Sequence, residues 1–191
     1  EEEQLMGYGI STCATCDGYF FKEKNIVVVG GGDSAMEEAS FLTKFAKKVT
    51  IIHRREVFKA SKIMLDRVRN NPLIDIVVNK SIESIKGTQQ DGISSIVLKD
   101  TVSGESSTFE CEGVFYGIGH TPNTDLFKGM IDLNDNGYII TQSDSSLTNI
   151  PGVFACGDVQ DDHYRQAITA AGSGCMAAID AEKYLEENII E

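Results

Sequence analysis

The chain has 191 residues, with 17 basic against 29 acidic side chains and a formal net charge of -12. That length can bury a sizeable core as one domain or two small ones, and the ordinary apolar and charged content excludes disordered, collagen-like and disulfide-scaffold proteins. The acidic surface disfavours nucleic acid and anionic lipid as general partners, and no apolar run reaches the roughly 20 residues that a membrane span needs.

Residues 1–9 read as a polar lead-in. They lack both an initiator Met and a charged-then-apolar leader, so an upstream segment is expected to have been removed, by processing or by choice of clone. Thr12-Cys13-Ala14-Thr15-Cys16-Asp17-Gly18 follows. The cysteines (13, 16, 111, 156 and 175) are odd in number and only two are close. This suits a reducing compartment such as the cytoplasm, with one redox or metal pair, better than a secreted disulfide framework. The apolar run Ile26–Val29 predicts a buried parallel strand over 25–29, with Gly30-Gly31-Gly32-Asp33-Ser34-Ala35 directly after it. Residues 34–46 pattern as a helix through Ala35, Ala39, Leu42, Phe45 and Ala46, closed by Lys47-Lys48. Val49–Ile52 predicts the next strand, making a β-α-β unit with a right-handed crossover by default.

Residues 61–70 predict a second helix, stopped by Asn70-Asn71-Pro72. Four strand-like segments (74–78, 81–85, 93–99 and 108–116) then read as a β-meander inserted into the α/β domain. Gly117-Ile118-Gly119-His120-Thr121-Pro122-Asn123 is a glycine-rich exit loop, and a domain boundary falls near it. Beyond it, Asn134–Gly137 predicts a turn, 138–141 and 153–155 short strands, and 165–187 one long helix. Gly172, Ser173 and Gly174 inside that helix imply close packing of its first half against a backbone or a ligand. With so few strands, this region looks like part of a domain.

Gly30-x-Gly32-x-x-Ala35 ends a strand and opens a helix, the context that makes the motif informative. The glycines permit a tight turn and the close approach of a pyrophosphate, held by backbone N–H groups and the positive helix end. Without that context it would be a glycine turn of any α/β fold. About 20 residues on, enzymes for NAD place an acid that grips the ribose 2′-hydroxyl. Here His53-Arg54-Arg55 stand instead, with Lys59 behind them. A basic run alone is usually a solvated face; at this position it suits a 2′-phosphate, which Arg can bind bidentately. The expectation is NADP(H) rather than NAD(H). Cys13-Ala-Thr-Cys16 suits either a redox dithiol or half of a zinc site. The remaining cysteines are scattered and no histidines are paired, so no metal site is expected. In the redox reading one thiol attacks a partner disulfide and the other resolves the mixed intermediate. Asp17 is then either a proton shuttle or the first residue of an Asp-Gly turn. A nicotinamide and a dithiol normally need a flavin between them, yet no second glycine fingerprint stands upstream to hold one.

Taken together, Cys13-Ala-Thr-Cys16-Asp17-Gly18, Gly30-Gly-Gly-Asp-Ser-Ala35, His53-Arg-Arg55, Gly117-Ile-Gly-His-Thr-Pro-Asn123, Gly157-Asp-Val159 and Tyr164-Arg-Gln-Ala167 resemble, in that order, the low-molecular-weight thioredoxin reductases of bacteria, plants and fungi. The resemblance covers essentially the whole chain. It implies an α/β fold in which 1–119 is a Rossmann-like three-layer NADPH-binding domain with an inserted meander, and 120–191 the C-terminal part of an FAD-binding domain. It implies hydride transfer from NADPH to FAD and electrons passing on to a Cys13–Cys16 disulfide. Cys16 would face the flavin, Cys13 would attack thioredoxin or a thioredoxin-like protein, and Asp17 would protonate the leaving thiolate. Gly30, Gly32, Asp33, Ser34, Ala35 and Ile118 match NADPH contacts, and His53, Arg54, Arg55 and Lys59 the 2′-phosphate site. Asp158, Arg165, Gln166 and Ala167 match FAD contacts. Lys59 stands where many relatives have Arg, keeping the charge without the fork. Cys156 stands where Ala is usual, and neither it nor Cys111 nor Cys175 is given a role. The intact protein is expected to be a homodimer, and this chain alone inactive and colourless for want of the FAD pyrophosphate site. The flavoprotein subunit of an alkyl hydroperoxide reductase is a rival in the same class. An NADP(H)-binding module without turnover and a zinc-binding interaction protein are readings from other classes.

Overall fold

The computed structural model describes residues 2–188. Helix α1 (Glu2–Leu5), strand β1 (Ile10–Ser11) and helix α2 (Ala14–Asp17) come first, each too short to leave a periodic signal. They are followed by β2 (Asn25–Val29), α3 (Asp33–Leu42), β3 (Lys48–His53), α4 (Lys62–Arg69) and β4 (Ile74–Val78). Strands β5 (Lys80–Thr88), β6 (Gly92–Asp100), β7 (Ser106–Glu110) and β8 (Gly113–Tyr116) come next, and helix α5 (Ala167–Asn188) ends the described chain. Two units result, Glu1–Gly119 and His120–Glu191. No helix among the described residues is long and apolar enough to cross a membrane.

In the first unit a parallel sheet of order β1-β8-β2-β3-β4 lies beside an antiparallel sheet of order β5-β6-β7. Side chains alternate between the two faces of a strand, and here both faces are covered. Ile26, Val28, Val49, Ile51 and Phe115 pack on Ala35, Met36, Ala39 and Leu42 of α3 and Val68 of α4. Val27, Ile52 and Val114 point the other way, onto Ile85, Ile93, Ile96 and Leu98 of the second sheet. The result is three layers: helices, parallel sheet, antiparallel sheet. Burial on both faces explains why β2 reads as an apolar run and β3 as one interrupted only by the buried Thr50.

The inserted meander is smaller than its sequence suggests. Residues 74–78 form β4, paired in parallel with β3. The segment 108–116 breaks at Cys111-Glu112. Glu112 donates its N–H to the Asn25 carbonyl and accepts the Asn25 N–H on its carboxylate, at 2.8 and 3.0 Å. These bonds pull the chain off the antiparallel sheet and into the parallel one, where β8 pairs with β1 and β2. The meander proper is β5-β6-β7. Helix α3 also stops early, at Leu42. From there the N–H groups of Lys44 and Phe45 reach back only three residues, to Phe41 and Leu42, so the expected last turn to 46 tightens into a loop.

In the second unit the strands expected at 138–141 and 153–155 are single bridges, Leu133 with Ile139 and Leu147 with Phe154. Their backbone bonds run to scattered partners instead of a ladder: the Ile139 N–H goes to the Val159 carbonyl and the Ile140 N–H to that of Asp132, at 2.8 and 3.0 Å. Side chains add to them, and Asn134 Oδ1 accepts the N–H of Asn136 and of Tyr138, both at 3.0 Å. Asp180 accepts the Ser146 N–H and hydroxyl, which hold its carboxyl below the usual range. Helix α5 buries none of its residues, and Ile168 remains 79% exposed.

Glu38 on α3 is an exception to the polar accounting. One carboxylate oxygen is buried with no hydrogen-bond partner among the described residues, and burial, with the neighbouring Glu37 charge, pushes its pKa from 4.5 up to about 7. The folded state therefore holds this proton more tightly than the unfolded chain. That contribution is complete below about pH 4.5 and is lost as pH rises through 7. Discounted for partial solvation, it amounts to about 1–2 kcal/mol. Glu38→Gln, which carries no charge to desolvate, should gain that much stability over the parent at pH 8.5 and little at pH 4.5, read by denaturant unfolding.

Candidate dinucleotide cleft and redox disulfide

Three glycines shape the crossing between β2, β8 and α3. A Cβ on Gly30 would lie 2.7 Å from the Ala35 Cβ, and one on Gly117 would lie 2.8 Å from the Ala35 Cα. The loops after β2 and β8 thus sit directly on the first turn of α3, and Ala35 is fully buried between them. A Cβ on Gly31 would collide with the His53 ring. Gly31 fell on an unspecified position of the glycine motif, and only the packing of His53 shows why it is glycine. Gly32, by contrast, faces open space within this chain.

That space is a cleft of about 670 Å³, inside the range usual for small-molecule sites. Gly30, Gly32, Ser34, His53, Arg54, Arg55, Lys59 and Ile118 all line it. The 53–60 segment is strapped to the glycine turn, because the N–H groups of Lys59 and Ala60 both donate to the Gly31 carbonyl, at 2.8 and 3.1 Å. His53 stacks on Phe58 at 4.7 Å between ring centres, and its Nε2 lies 3.2 Å from the Val57 carbonyl oxygen. Its ring forms wall, while Arg54, Arg55 and Lys59 are exposed. Among the described residues none of these three cations is in an ion pair, whereas Lys80, also in the cleft, is paired with Asp100 at 2.8 Å. That bond and two backbone N–H groups hold Asp100 well below the usual carboxylate range. Tyr116 adds its phenol, donated to Glu2 at 2.6 Å, and burial raises its pKa. Two expected contacts do not line the cleft. Ala35 is its buried floor, and the Asp33 carboxylate turns to the Ser61 N–H at 2.7 Å, bracing the start of α4.

Cys13 and Cys16 form a disulfide at opposite ends of the first turn of α2. The Cys13 sulfur caps that turn, accepting the Cys16 N–H at 3.2 Å. Asp17 accepts a hydrogen bond from the Ser11 hydroxyl at 2.7 Å. Ser11 and the neighbouring Tyr19 and Phe20 carried no sequence signal of their own. Of the aromatic run Tyr19-Phe20-Phe21, only Phe21 is buried; the other two are 68% and 73% exposed. Asp17, Phe20 and Phe21 line a separate cleft of about 390 Å³.

In the second unit the Gly157 N–H donates to Ser173 on α5 at 3.0 Å, so the turn bearing Asp158 docks on the first part of the helix. Asp161 organises the loop that follows. It is partly buried, which opposes ionisation, but the N–H groups of Tyr164, Arg165 and His163 and the Thr169 hydroxyl hold it below its ordinary range. Arg165 sits in the left-handed region, at φ 48°, and its guanidinium reaches the Tyr138 hydroxyl at 3.3 Å. Asp161 was not among the expected site residues, although Asp161-Asp162 before a helix is an Asx signal. A Cβ on Gly172 or Gly174 would meet nothing within 4 Å, so no backbone packs there.

A glycine turn of dinucleotide type and a Cys-x-x-Cys disulfide on one α/β unit mark a nucleotide-dependent disulfide oxidoreductase. Residues 1–174 match the pyridine nucleotide-disulphide oxidoreductase family, and the chain belongs to it. The chain is 55% identical over 186 residues to the thioredoxin reductase of Mycolicibacterium smegmatis, covering 97% of this chain and 59% of that protein. It is 51% identical over 187 residues to that of Rickettsia typhi, with 97% and 60% covered. The crystal structure of thioredoxin reductase from Streptococcus pyogenes superposes with a TM-score of 0.90 at 40% identity, over 97% of this chain and 60% of that one. The chain thus spans about 60% of the length of the relatives it matches.

The Asp161 bonds make a local prediction. Asp161→Ala should accelerate hydrogen exchange at the amides of His163, Tyr164 and Arg165 by about tenfold, on the order of one charge-assisted hydrogen bond. Amides of β2 and β3 should be unchanged.

Proposed function

We propose that this chain is the NADPH-binding and disulfide-bearing portion of a flavoprotein thioredoxin reductase, with residues 1–119 forming the NADPH domain and 120–191 contributing one side of an FAD site. The observation that carries this reading is the coincidence, on one unit, of the Cys13–Cys16 disulfide with a nucleotide-sized cleft whose Arg54, Arg55 and Lys59 lack ion-pair partners among the described residues. The glycine turn fits a pyrophosphate, since the space at Gly32 is open within this chain and lies at the start of α3. Gly30, Gly32, Ser34 and Ile118 hold the nucleotide along the cleft, and Asp33 and Ala35 support it from behind. Arg54 and Arg55 take the 2′-phosphate, with Lys59 adding charge and His53 the wall.

Asp158, Arg165, Gln166 and Ala167 are the proposed FAD contacts. Their fit rests on the docked turn at Gly157 and the Asp161-braced loop. A flavin, when bound, converts a two-electron hydride into thiol–disulfide exchange. The chain's own chemistry is then that of its thiols. Cys13 attacks the disulfide of a thioredoxin-like protein, Cys16 closes the resolving bond, and Asp17 supplies a proton to the departing thiolate. Tyr19 and Phe20 offer that protein an apolar face beside the disulfide. The relatives described above are thioredoxin reductases, which favours thioredoxin over the partner of a hydroperoxide reductase. The intact protein is proposed to be a cytoplasmic homodimer.

Calorimetric titration of the chain with NADPH and NADH tests the nucleotide assignment. NADPH should bind more tightly, and Arg54→Ala with Arg55→Ala should weaken NADPH by roughly 10–100-fold while leaving NADH within about threefold, as expected for one or two charge-assisted bonds. Equal affinity for the two nucleotides in the parent chain would overturn the assignment.

A further inference from the structure

Ser11 lies at the end of β1, 3% exposed, and its single hydroxyl stands at the centre of the disulfide turn. Its oxygen accepts the Cys13 N–H at 3.0 Å. Its proton has two acceptors within reach, Asp17 Oδ2 at 2.7 Å and the Cys13 carbonyl at 3.3 Å. The same Cys13 carbonyl accepts the Asp17 N–H at 3.1 Å.

We infer that Ser11 is a positioning residue for Asp17: one buried hydroxyl that satisfies the carboxyl group with its proton and without it. With Asp17 ionised, the Ser11 O–H donates to Oδ2. With Asp17 protonated, its own O–H donates to the Ser11 oxygen, and the Ser11 proton turns to the Cys13 carbonyl. A hydroxyl has one donor and two acceptor sites, so the Cys13 N–H bond survives in both states. Neither state strands a buried polar group, and the carboxyl group can give up or take a proton without leaving its place beside the Cys13 backbone. The inference rests on the proposal that Asp17 is the proton donor.

The step it serves balances as follows. The Cys13 thiolate attacks one sulfur of a disulfide R–S–S–R. The Cys13–S–R bond forms, the S–S bond breaks, and RS⁻ leaves with the Asp17 proton. Cys16, whose own proton passes to Asp17, then attacks the Cys13 sulfur: the Cys13–Cys16 bond forms, the Cys13–S–R bond breaks, and the second RS⁻ leaves with that proton, so that Asp17 ends ionised. The dithiol is oxidised by two electrons, and R–S–S–R is reduced to two RSH.

A donor held in place matters when the leaving thiolate is basic and hardly at all when it is acidic. The experiment therefore oxidises the prereduced chain with oxidised glutathione, an alkyl disulfide, and with dithiobis(nitrobenzoate), whose aryl thiolate leaves without protonation. Closure of Cys13–Cys16 is read by mass spectrometry of the tryptic peptide 1–22, which ends at the first Lys or Arg and holds only these two cysteines. Ser11→Ala should slow the glutathione reaction about tenfold and the aryl reaction less than twofold, with Ser11→Thr restoring both. Ser11→Gly removes the same hydroxyl should the Ala variant not fold. An equal loss with both oxidants would mean that Ser11 only supports the fold, and would overturn the inference. A selective loss in Asp17→Asn with none in Ser11→Ala would overturn it while leaving Asp17 as the donor. No selectivity in either variant would overturn the Asp17 assignment itself.

Discussion

Between the ends of β2 and β8 there is room for backbone and nothing else. Gly30 and Gly117 press on Ala35, and a single methyl group at either glycine would enter the van der Waals shell of the helix. This close approach sets the rest of the nucleotide side of the molecule. It brings the first turn of α3 up to the strand ends, opens Gly32 to the cleft, and leaves the Gly31 carbonyl to tie down Lys59 and Ala60. The basic segment is therefore fixed to the same turn that would receive a pyrophosphate. The distance between the glycine turn and the basic segment is set by covalent geometry and two backbone hydrogen bonds rather than by flexible side chains.

Charge is distributed against the average of the chain. A molecule carrying -12 overall keeps three cations without ion-pair partners among the described residues at one cleft and neutralises a fourth, Lys80, with Asp100. The acidic remainder repels polyanions at long range, while an anion at contact distance in the cleft would meet the local arginines first, inside a Debye length of about 8 Å.

What the sequence made legible followed from local signals. β2, β3, α4 and the glycine turn were readable because apolar runs, an Asn-Asn-Pro stop and glycine spacing are properties of a few consecutive residues. The fates of β4 and β8 were not, because a strand's partner is chosen at a distance: the bonds of Glu112 with Asn25 span most of the first unit. In the cleft, Arg54 and Arg55 were legible from their position after the second strand. That the Asp33 side chain turns to Ser61 was not legible, because Ser61 belongs to a different element. Ser11 and Asp161 were missed for the same reason, since each acts by accepting or donating bonds that composition does not encode. The expected strands at 138–141 and 153–155 shorten to bridges because their backbone N–H groups go to scattered partners, Ile139 to Val159 and Ile140 to Asp132, with Asn134 Oδ1 taking that of Tyr138.

Cys111 has a consequence for the redox chemistry of the unit. It sits in the core at the point where the chain passes from β7 to β8, 2% exposed, and burial pushes its thiol up to about 12. At neutral pH it therefore stands as the thiol, whereas the thiolate is the species that attacks disulfides. The Cys13–Cys16 disulfide shares its domain with a third sulfur that is buried and held protonated. Oxidising equivalents exchanged at Cys13 and Cys16 would stay there, and the core of the unit would keep a single redox state.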